Sequence, residues 1–242
     1  MANTKDITTE NLKLRVLVYG KSGTGKTTFA GTFPKPYFFD FNMGMLSLRG
    51  RDIVYDTFVD EDLGRPTAYK KFLKRVEEIR DEKFKTVVVD DFPSMAECMM
   101  RDIQANNGTL SKTPNLHEWQ LLVRKGEEAF HGFKLLGFNV VFIALEKVLV
   151  DEVTGEIKNI PLIMGKALPE RSPGWFDEVF RAQVDRDKDG KPVYHLLTTA
   201  ARRYEAKSRL AGVSHCLDEL ETPDYNILMK KIKEEGDGRG KG

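Results

Sequence analysis

The residues with the clearest chemical potential are glycines, a lysine and a threonine that follow an apolar run near the start of the chain. They belong to the stretch VLVYGKSGTGKTTFA, in which Gly20, Gly25, Lys26 and Thr27 satisfy the pattern G-x-x-x-x-G-K-[ST]. Glycines allow a tight turn whose backbone N–H groups converge on a phosphate, and a helix that starts there directs its positive end at the same anion. The lysine suits the β- and γ-phosphates, and the threonine hydroxyl suits Mg²⁺. We therefore predict an ATP-binding loop with contacts from Gly20, Lys21, Ser22, Gly23, Thr24, Gly25, Lys26, Thr27 and Thr28.

A loop of this kind needs an acidic group at the end of a second buried strand to hold Mg²⁺ through water. The run FKTVVVDD supplies Asp90 and, next to it, Asp91. Asp90 ends the apolar run, so we predict Thr27 and Asp90 as the metal ligands. Glu146 follows another apolar run, at the end of a predicted strand, where its side chain would sense the γ-phosphate or orient water. A solvated glutamate at a strand end explains that position nearly as well.

The elements that must position these residues alternate along the chain. Apolar, β-rich runs separated by helical patterns indicate an α/β fold, a mostly parallel sheet with crossover helices. Apolar residues at helical spacing predict packing helices over Pro66–Arg80 and Glu118–Leu136. The predicted strands are Leu14–Tyr19, Tyr37–Asp40, Ile53–Phe58, Thr86–Asp90 and Asn139–Leu145.

The last third of the chain has a different pattern, with alternating residues around polar turns. It predicts one hairpin from Val148–Val153 and Glu156–Leu162, and a second from Val179–Val184 and Val193–Thr199. A short helix over Asp224–Glu234 follows. We expect a single domain over residues 13–234, between an N-terminal arm, 1–12, and a disordered tail, 235–242.

Composition excludes several classes of protein without selecting one. Lys and Arg number 38 against 37 Asp and Glu, so any nucleic-acid binding must come from a local patch. Cys98 and Cys216 stand far apart, which indicates neither a disulfide framework nor a zinc site. No apolar run approaches the roughly 20 residues of a membrane span, and the N-terminus lacks a signal-peptide core. We expect a cytoplasmic protein with no membrane partner.

The order of the motifs resembles a known family. GKSGTGKTTFAGTFPKPYFFD, MLSLRG, TVVVDD and FIALEK with a hairpin after it are similar to the P-loop ATP-binding proteins of phages and prophages, over roughly residues 12–212. Those proteins are reduced RecA-like ATPases, and some act in single-strand annealing or recombination. The resemblance implies a RecA-like core, ATP and Mg²⁺ as cofactors, a homo-oligomeric ring or filament, and single-stranded DNA as partner. A single-strand DNA-binding protein is a candidate protein partner on the same ground.

Two positions depart from the family pattern. After the second strand the family usually reads Asp-x-acidic-x-Gly, whereas this chain has Asn42 at the acidic position between Asp40 and Gly44. An amide can position a water molecule but cannot take its proton, so the resemblance implies slow hydrolysis unless Asp91 or Glu146 substitutes. Glu146 is itself a departure, because related proteins more often carry Gln or His there.

The resemblance also implies a cation supplied between subunits. Lys207 and Arg209, in EAKSRL, resemble a K-x-R element that reaches the ATP site of a neighbouring subunit in some RecA-like oligomers. Such a cation stabilises charge on the transferring phosphoryl group and makes ATP binding depend on assembly. A solvated basic strand end is the alternative explanation.

DNA contacts are expected in two segments, residues 101–119 and 147–175, which follow the strands of Asp90 and Glu146. The first includes Arg101–His117, which we predict to be the most mobile loop. Trp119 and Trp175 would offer stacking surfaces between the basic residues. Without the resemblance, ordinary surface loops would explain both segments. The predicted DNA-binding residues are Lys112, Lys158, Lys166 and Arg171.

The leading function is thus an ATP-dependent oligomer that anneals single-stranded DNA in phage recombination or replication. One alternative is a P-loop phosphotransferase acting on a nucleotide or another small molecule, which would turn over only with an acceptor. The other is an ATP-gated assembly factor without DNA affinity.

Overall fold

The structure is a computed structural model that describes residues 12–150, 154–163, 172–201, 203–211 and 216–238. A ten-stranded sheet forms the centre of this described part. The strands are β1 Arg15–Gly20, β2 Pro36–Asp40, β3 Val54–Thr57, β4 Thr86–Asp90, β5 Asn139–Val150, β6 Ile157–Leu162, β7 Glu178–Arg186, β8 Pro192–Leu197, β9 Lys207–Ser208 and β10 Leu220–Glu221. Their spatial order is β10-β8-β7-β1-β5-β4-β2-β3, with β6 paired to β5 and β9 to β7.

The parallel part of the sheet runs from β3 to β7, and the antiparallel strands are additions to it. β8, β9, β10 and β6 pair antiparallel with their neighbours. The mostly parallel sheet with C-terminal hairpins predicted from the sequence is therefore confirmed. In the parallel register, Gly20 lies beside Leu145 and Asp40 beside Asp90. The carboxyl ends of β1, β5, β4 and β2 thus meet at one edge of the sheet, which we call the carboxyl edge.

Helices cover both faces of the sheet because successive strand residues point to opposite sides. On one face, Leu17, Phe39 and Phe142 pack beneath α2, α3 and α4. On the other face, Val18 and Ile143 pack beneath α1 and α5. The helices are α1 Lys26–Ala30, α2 Ala68–Glu78, α3 Phe92–Asn107, α4 Leu116–Lys134 and α5 Tyr225–Gly238.

The prediction of a mobile loop over Arg101–His117 is wrong. Arg101–Asn107 is the last part of α3, and Gly108 ends that helix in a left-handed conformation, φ 67°. Asn115 then starts α4 with a reciprocal capping box to Glu118. Only Gly108–Asn115 connects the helices, and a hydrogen bond of 2.8 Å from the Gln104 amide to the carbonyl of Lys112 holds it. The Asn-Asn-Gly sequence therefore marks a helix end rather than the middle of a loop.

Several boundaries differ from the predicted ones. β5 continues beyond Leu145 to Val150, so the sensor strand and the first arm of the hairpin are one strand. α5 extends to Gly238, four residues into the predicted tail. Residues 151–153 of the hairpin, 239–242 of the tail and 1–11 of the N-terminal arm lie outside the described residues. In the part of the chain that is described, no helix combines the length and apolar character needed to cross a membrane.

Candidate nucleotide-binding site

The loop between β1 and α1 has a conformation that requires glycine. Gly20, Gly23 and Gly25 all have positive φ angles, 154°, 78° and 82°. A Cβ on Gly20 would lie 2.3 Å from the carbonyl oxygen of Ala182 on β7, so no side chain fits there. Inside the turn, the Thr24 hydroxyl donates to the carbonyl of Lys21 at 2.8 Å. The predicted phosphate loop is thus fixed by its own backbone and by the neighbouring strand.

Lys26 lies inside this loop. Its Nζ donates to the carbonyls of Gly20 and Lys21 at 2.9 and 2.7 Å, and the residue is 8% exposed. Burial lowers the pKa of the ammonium, while the charges of Asp90 and Asp91 oppose that shift. A cation held only by neutral carbonyls is suited to bind an anion that enters the loop.

Thr27 and Asp90, the two predicted metal ligands, are in direct contact. The Thr27 hydroxyl, on the helix that follows β1, donates to Oδ2 of Asp90 at 2.8 Å. Asp90 ends β4, and β5 lies between β1 and β4 in the sheet. The pKa of Asp90 is raised to about 6, chiefly because burial removes the carboxyl from water. The Thr27 hydrogen bond and the charge of Lys26 oppose this shift, and the charges of Asp91 and Asp40 add to it. A buried carboxylate beside a hydroxyl provides the oxygen ligands that Mg²⁺ prefers. The residues therefore fit the predicted metal.

The turn after β2 brings Asn42 to the second carboxylate. Asp40 accepts the backbone N–H groups of Asn42 and Gly44 at 3.3 and 3.1 Å, which fixes the turn. From there the Asn42 amide donates to Oδ2 of Asp91 at 3.3 Å. The other oxygen of Asp91 caps α3 by accepting the N–H of Ser94 at 2.8 Å. Asn42 and Asp91 are thus oriented as a pair beside Asp90.

Glu146 is neither solvated nor free. Its Oε2 accepts from Nε of Arg181 at 2.5 Å, and its side chain is 4% exposed. The Arg181 guanidinium also donates to Gln183 at 2.8 Å and lies 3.7 Å from the ring centroid of Tyr204. The alternative of a solvated strand-end glutamate is therefore wrong. Leu145 lines the cleft beside the phosphate loop, whereas Glu146 is held by Arg181.

A cleft of about 560 Å³ lies above the phosphate loop, and the polar side chains that border it include Lys26, Thr27, Asn42, Asp90 and Asp91. Two further lining residues, Tyr194 on β8 and Pro223 after β10, were not predicted from the sequence. Both lie more than 160 positions beyond the glycine loop in the chain, and an aromatic residue in a strand pattern indicates packing as readily as binding. Only the sheet order brings them to the site.

Lys207 and Arg209 lie far from the ATP site of their own chain. β9 pairs with Glu178 and Val179 at the amino end of β7, whereas the phosphate loop follows the carboxyl end of β1. The length of β1 between the two edges is about 16 Å. Arg209 donates to Asp177 at 3.0 Å. The two cations therefore do not join the candidate site within one chain, and their role between subunits stays a prediction.

Two of the four predicted DNA-binding residues, Lys112 and Lys158, lie on different elements of the described structure. Lys112 is exposed on the α3–α4 connection, and Lys158 is exposed on β6, 3.5 Å from Glu156. Lys166 and Arg171 lie outside the described residues. Arg101 is paired with Asp60 at 3.0 Å.

The two tryptophans of the predicted DNA segments are half-buried. Trp175 stacks on Phe130 with 5.1 Å between the ring centroids, and both Trp175 and Trp119 pack against the buried core. Part of each ring is therefore used in packing, and its role in stacking on a base stays a prediction.

Comparison with known proteins identifies a family and similar solved structures. A family model described as an AAA domain matches residues 12–210. Among solved structures, the chain is similar to a KaiC-like protein from the hyperthermophilic archaeon Pyrococcus horikoshii OT3, with 17% sequence identity and a TM-score of 0.42. That similarity covers 81% of this chain and 83% of the other. No curated protein matches the chain.

Proposed function

Since this chain belongs to the AAA domain family, we propose that it binds ATP with Mg²⁺ and uses the nucleotide to control a homo-oligomer that binds and anneals single-stranded DNA. The observation that carries the nucleotide half is the contact between Thr27 and the buried Asp90, with Lys26 inside the glycine loop beside them. These three side chains supply a hydroxyl, a carboxylate and a cation to one cleft. That set matches the needs of a triphosphate and its metal.

Hydrolysis would depend on Asp91 and Asn42. Mg²⁺, when bound, offsets negative charge on the phosphates. Asp91 accepts the proton of the attacking water, because it is the carboxylate of the cleft that is not assigned to the metal. Asn42 orients that water, since its amide already contacts Asp91. Lys26 then stabilises the charge that develops on the phosphate oxygens.

The DNA half of the proposal is supported by the hairpin of β5 and β6. β5 is continuous from the buried core beside the phosphate loop to exposed residues at its end, where Val148 and Val150 are more than half exposed. Leu149 lies opposite Lys158, so these two residues share a face of the hairpin with Lys147, two positions away. Two lysines that flank an apolar side chain suit alternating phosphate and base contacts.

The test is fluorescence anisotropy of a labelled oligonucleotide with protein, Mg²⁺ and ATP at several salt concentrations. We expect saturable binding that weakens as salt rises, and weaker binding by Lys26→Ala, which loses ATP. A double variant, Lys147→Ala with Lys158→Ala, should reduce the slope of log affinity against log salt by about 1.4, or roughly 0.7 for each lost phosphate contact. The matched control is Lys74→Ala with Lys230→Ala, because these variants remove the same number of exposed lysines from helices away from the hairpin.

The outcomes separate the candidate functions. Flat anisotropy at micromolar protein would contradict DNA binding. ATP turnover that then requires a small acceptor molecule would identify a phosphotransferase. ATP binding that responds to neither DNA nor an acceptor would favour an assembly factor.

A further inference from the structure

The end of the nucleotide cleft farthest from Asp90 has an aromatic surface that the phosphate chemistry leaves unused. Tyr194 on β8 and Pro223 after β10 line this end. Tyr194 is 40% exposed even though the neighbouring Leu196 and Leu197 are buried. A Cβ on Gly25 would lie 3.2 Å from a carbon of the Tyr194 ring, so the ring packs directly against the phosphate loop.

The sheet order sets the direction in which a nucleotide would lie. Asp90 ends β4 on one side of β1, and Tyr194 stands on β8 on the other side. Neighbouring strands are about 4.8 Å apart, so the four steps from β4 to β8 span about 19 Å. With the γ-phosphate towards Asp90 and the β-phosphate in the glycine loop, the remainder of the nucleotide extends towards Tyr194.

We propose that Tyr194 is the stacking surface for the nucleotide base, with Pro223 beside it. The inference rests on the proposed function, that this cleft binds a nucleoside triphosphate. A tyrosine ring offers a large flat surface that is already held in place by Gly25. Base stacking on such a ring stabilises binding for every base, because every base has a π-face.

The same geometry predicts little selection among bases. Gly25, Pro223 and the ring face of Tyr194 have no side-chain donor or acceptor that would read the edge of a base. Discrimination by a binding site requires such groups, since a mismatched base then leaves them unpaired. ATP and GTP should therefore bind with affinities within about tenfold of each other, a difference of roughly 1.4 kcal/mol.

Binding of Mg-ATP and of Mg-tripolyphosphate, which has the phosphates but no base, tests the proposal. Tyr194→Ala should weaken ATP binding about 5- to 150-fold and leave tripolyphosphate binding unchanged. Tyr194→Phe should keep the wild-type affinity for both, because it keeps the ring. Tyr55→Ala is the matched control, since Tyr55 is a similarly exposed strand tyrosine, at 49%, on the far edge of the sheet.

A fluorescent variant distinguishes loss of base stacking from loss of affinity caused by a disturbed β7–β8 hairpin. In Tyr194→Trp, ATP should quench the indole fluorescence that the variant adds to wild type, and tripolyphosphate should not. An unchanged ratio of ATP to tripolyphosphate affinity in Tyr194→Ala, or equal responses to both ligands in Tyr194→Trp, would overturn the proposal while leaving ATP binding intact. Wild-type protein that binds neither ligand would overturn the proposed function and the base site together.

Discussion

Asp90 and Asp177, two carboxylates at opposite edges of the central sheet, are held in different ways. At the carboxyl edge, the buried Asp90 contacts the neutral hydroxyl of Thr27, and Lys26 is held by backbone carbonyls. At the amino edge, Asp177 receives two hydrogen bonds of 2.6 Å from the guanidinium of Arg15. Asp177 is thus paired with a cation, whereas Asp90 is left beside a hydroxyl.

This difference separates structural charges from charges available to a ligand. A buried carboxylate without a cation in contact destabilises the folded state, whereas a carboxylate bound by arginine does not. Binding of Mg²⁺ and a triphosphate would supply the missing charges at the carboxyl edge. The comparison therefore predicts that removing charges should have opposite effects on stability at the two edges.

The largest effect is expected for Asp91→Asn at the carboxyl edge. Removal of the proposed proton acceptor should lower the rate of ATP hydrolysis by about 10²- to 10⁴-fold. ATP affinity should change little, because Asp91 contacts Asn42 and Ser94 rather than the glycine loop. Asparagine also caps helices well, so α3 should keep its start. Single-turnover hydrolysis and a separate binding titration distinguish the two quantities.

The exposed Glu97→Gln is the control for Asp91→Asn, because it removes a carboxylate from the same helix outside the cleft. An unchanged hydrolysis rate in Asp91→Asn would show that this edge holds phosphates without acting on them through Asp91.

A smaller effect, with a defined pH dependence, is expected for Asp90→Asn without nucleotide. The folded-state pKa of Asp90 is raised from 3.8 to about 6. The stability that this carboxyl contributes is therefore complete below pH 3.8 and is lost as the pH rises through 6. The asparagine side chain of the variant does not ionise, so the variant should unfold at a higher temperature than wild type at pH 8. The gain is on the order of 10 °C, since the pKa change corresponds to roughly 3 kcal/mol.

Thermal unfolding of Asp90→Asn at pH 8 and at pH 4 tests this expectation. The difference from wild type should be much smaller at pH 4, where Asp90 is protonated in the folded protein. The control Asp52→Asn changes an exposed carboxylate, and its unfolding temperature should differ little from that of wild type at either pH. Equal unfolding temperatures of Asp90→Asn and wild type at pH 8 would mean that Asp90 carries no electrostatic penalty.

In wild type, affinity for Mg-ATP should fall below about pH 6, because the metal then competes with a proton.

The part of the site that is local in the sequence was predictable. The glycine loop and the strand ending in Asp90 each carry their pattern within ten residues. The loop follows one parallel strand and Asp90 ends another, and the carboxyl ends of these strands meet at one edge, so a parallel sheet was enough to place Thr27 and Asp90 at the same edge. Strand alternation and helix periodicity likewise gave the layered sheet.

The parts that depend on long-range packing were not predictable. Arg181 reaches Glu146 because β1 lies between β7 and β5 in the sheet, next to both. No local sequence pattern gives this strand order. Tyr194 enters the cleft for the same reason. The misread loop at Asn107 had another cause, since Asn-Asn-Gly occurs both in loops and at helix ends and only the left-handed Gly108 decides between them.

The smallest stability effect is expected for Arg209→Ala at the amino edge. Asp177 keeps its two hydrogen bonds to Arg15 when Arg209 is removed, and the Arg209 side chain is half exposed, so the ion pair contributes about 0 to 1 kcal/mol. The unfolding temperature should therefore fall by no more than about 4 °C, and that of Arg15→Ala should fall further. If Arg209 leaves Asp177 to reach the ATP site of a neighbouring subunit, Arg209→Ala should also lose ATP-dependent assembly in sedimentation velocity. Normal assembly of Arg209→Ala would instead assign this arginine, like Arg15, to the structural charges of the amino edge.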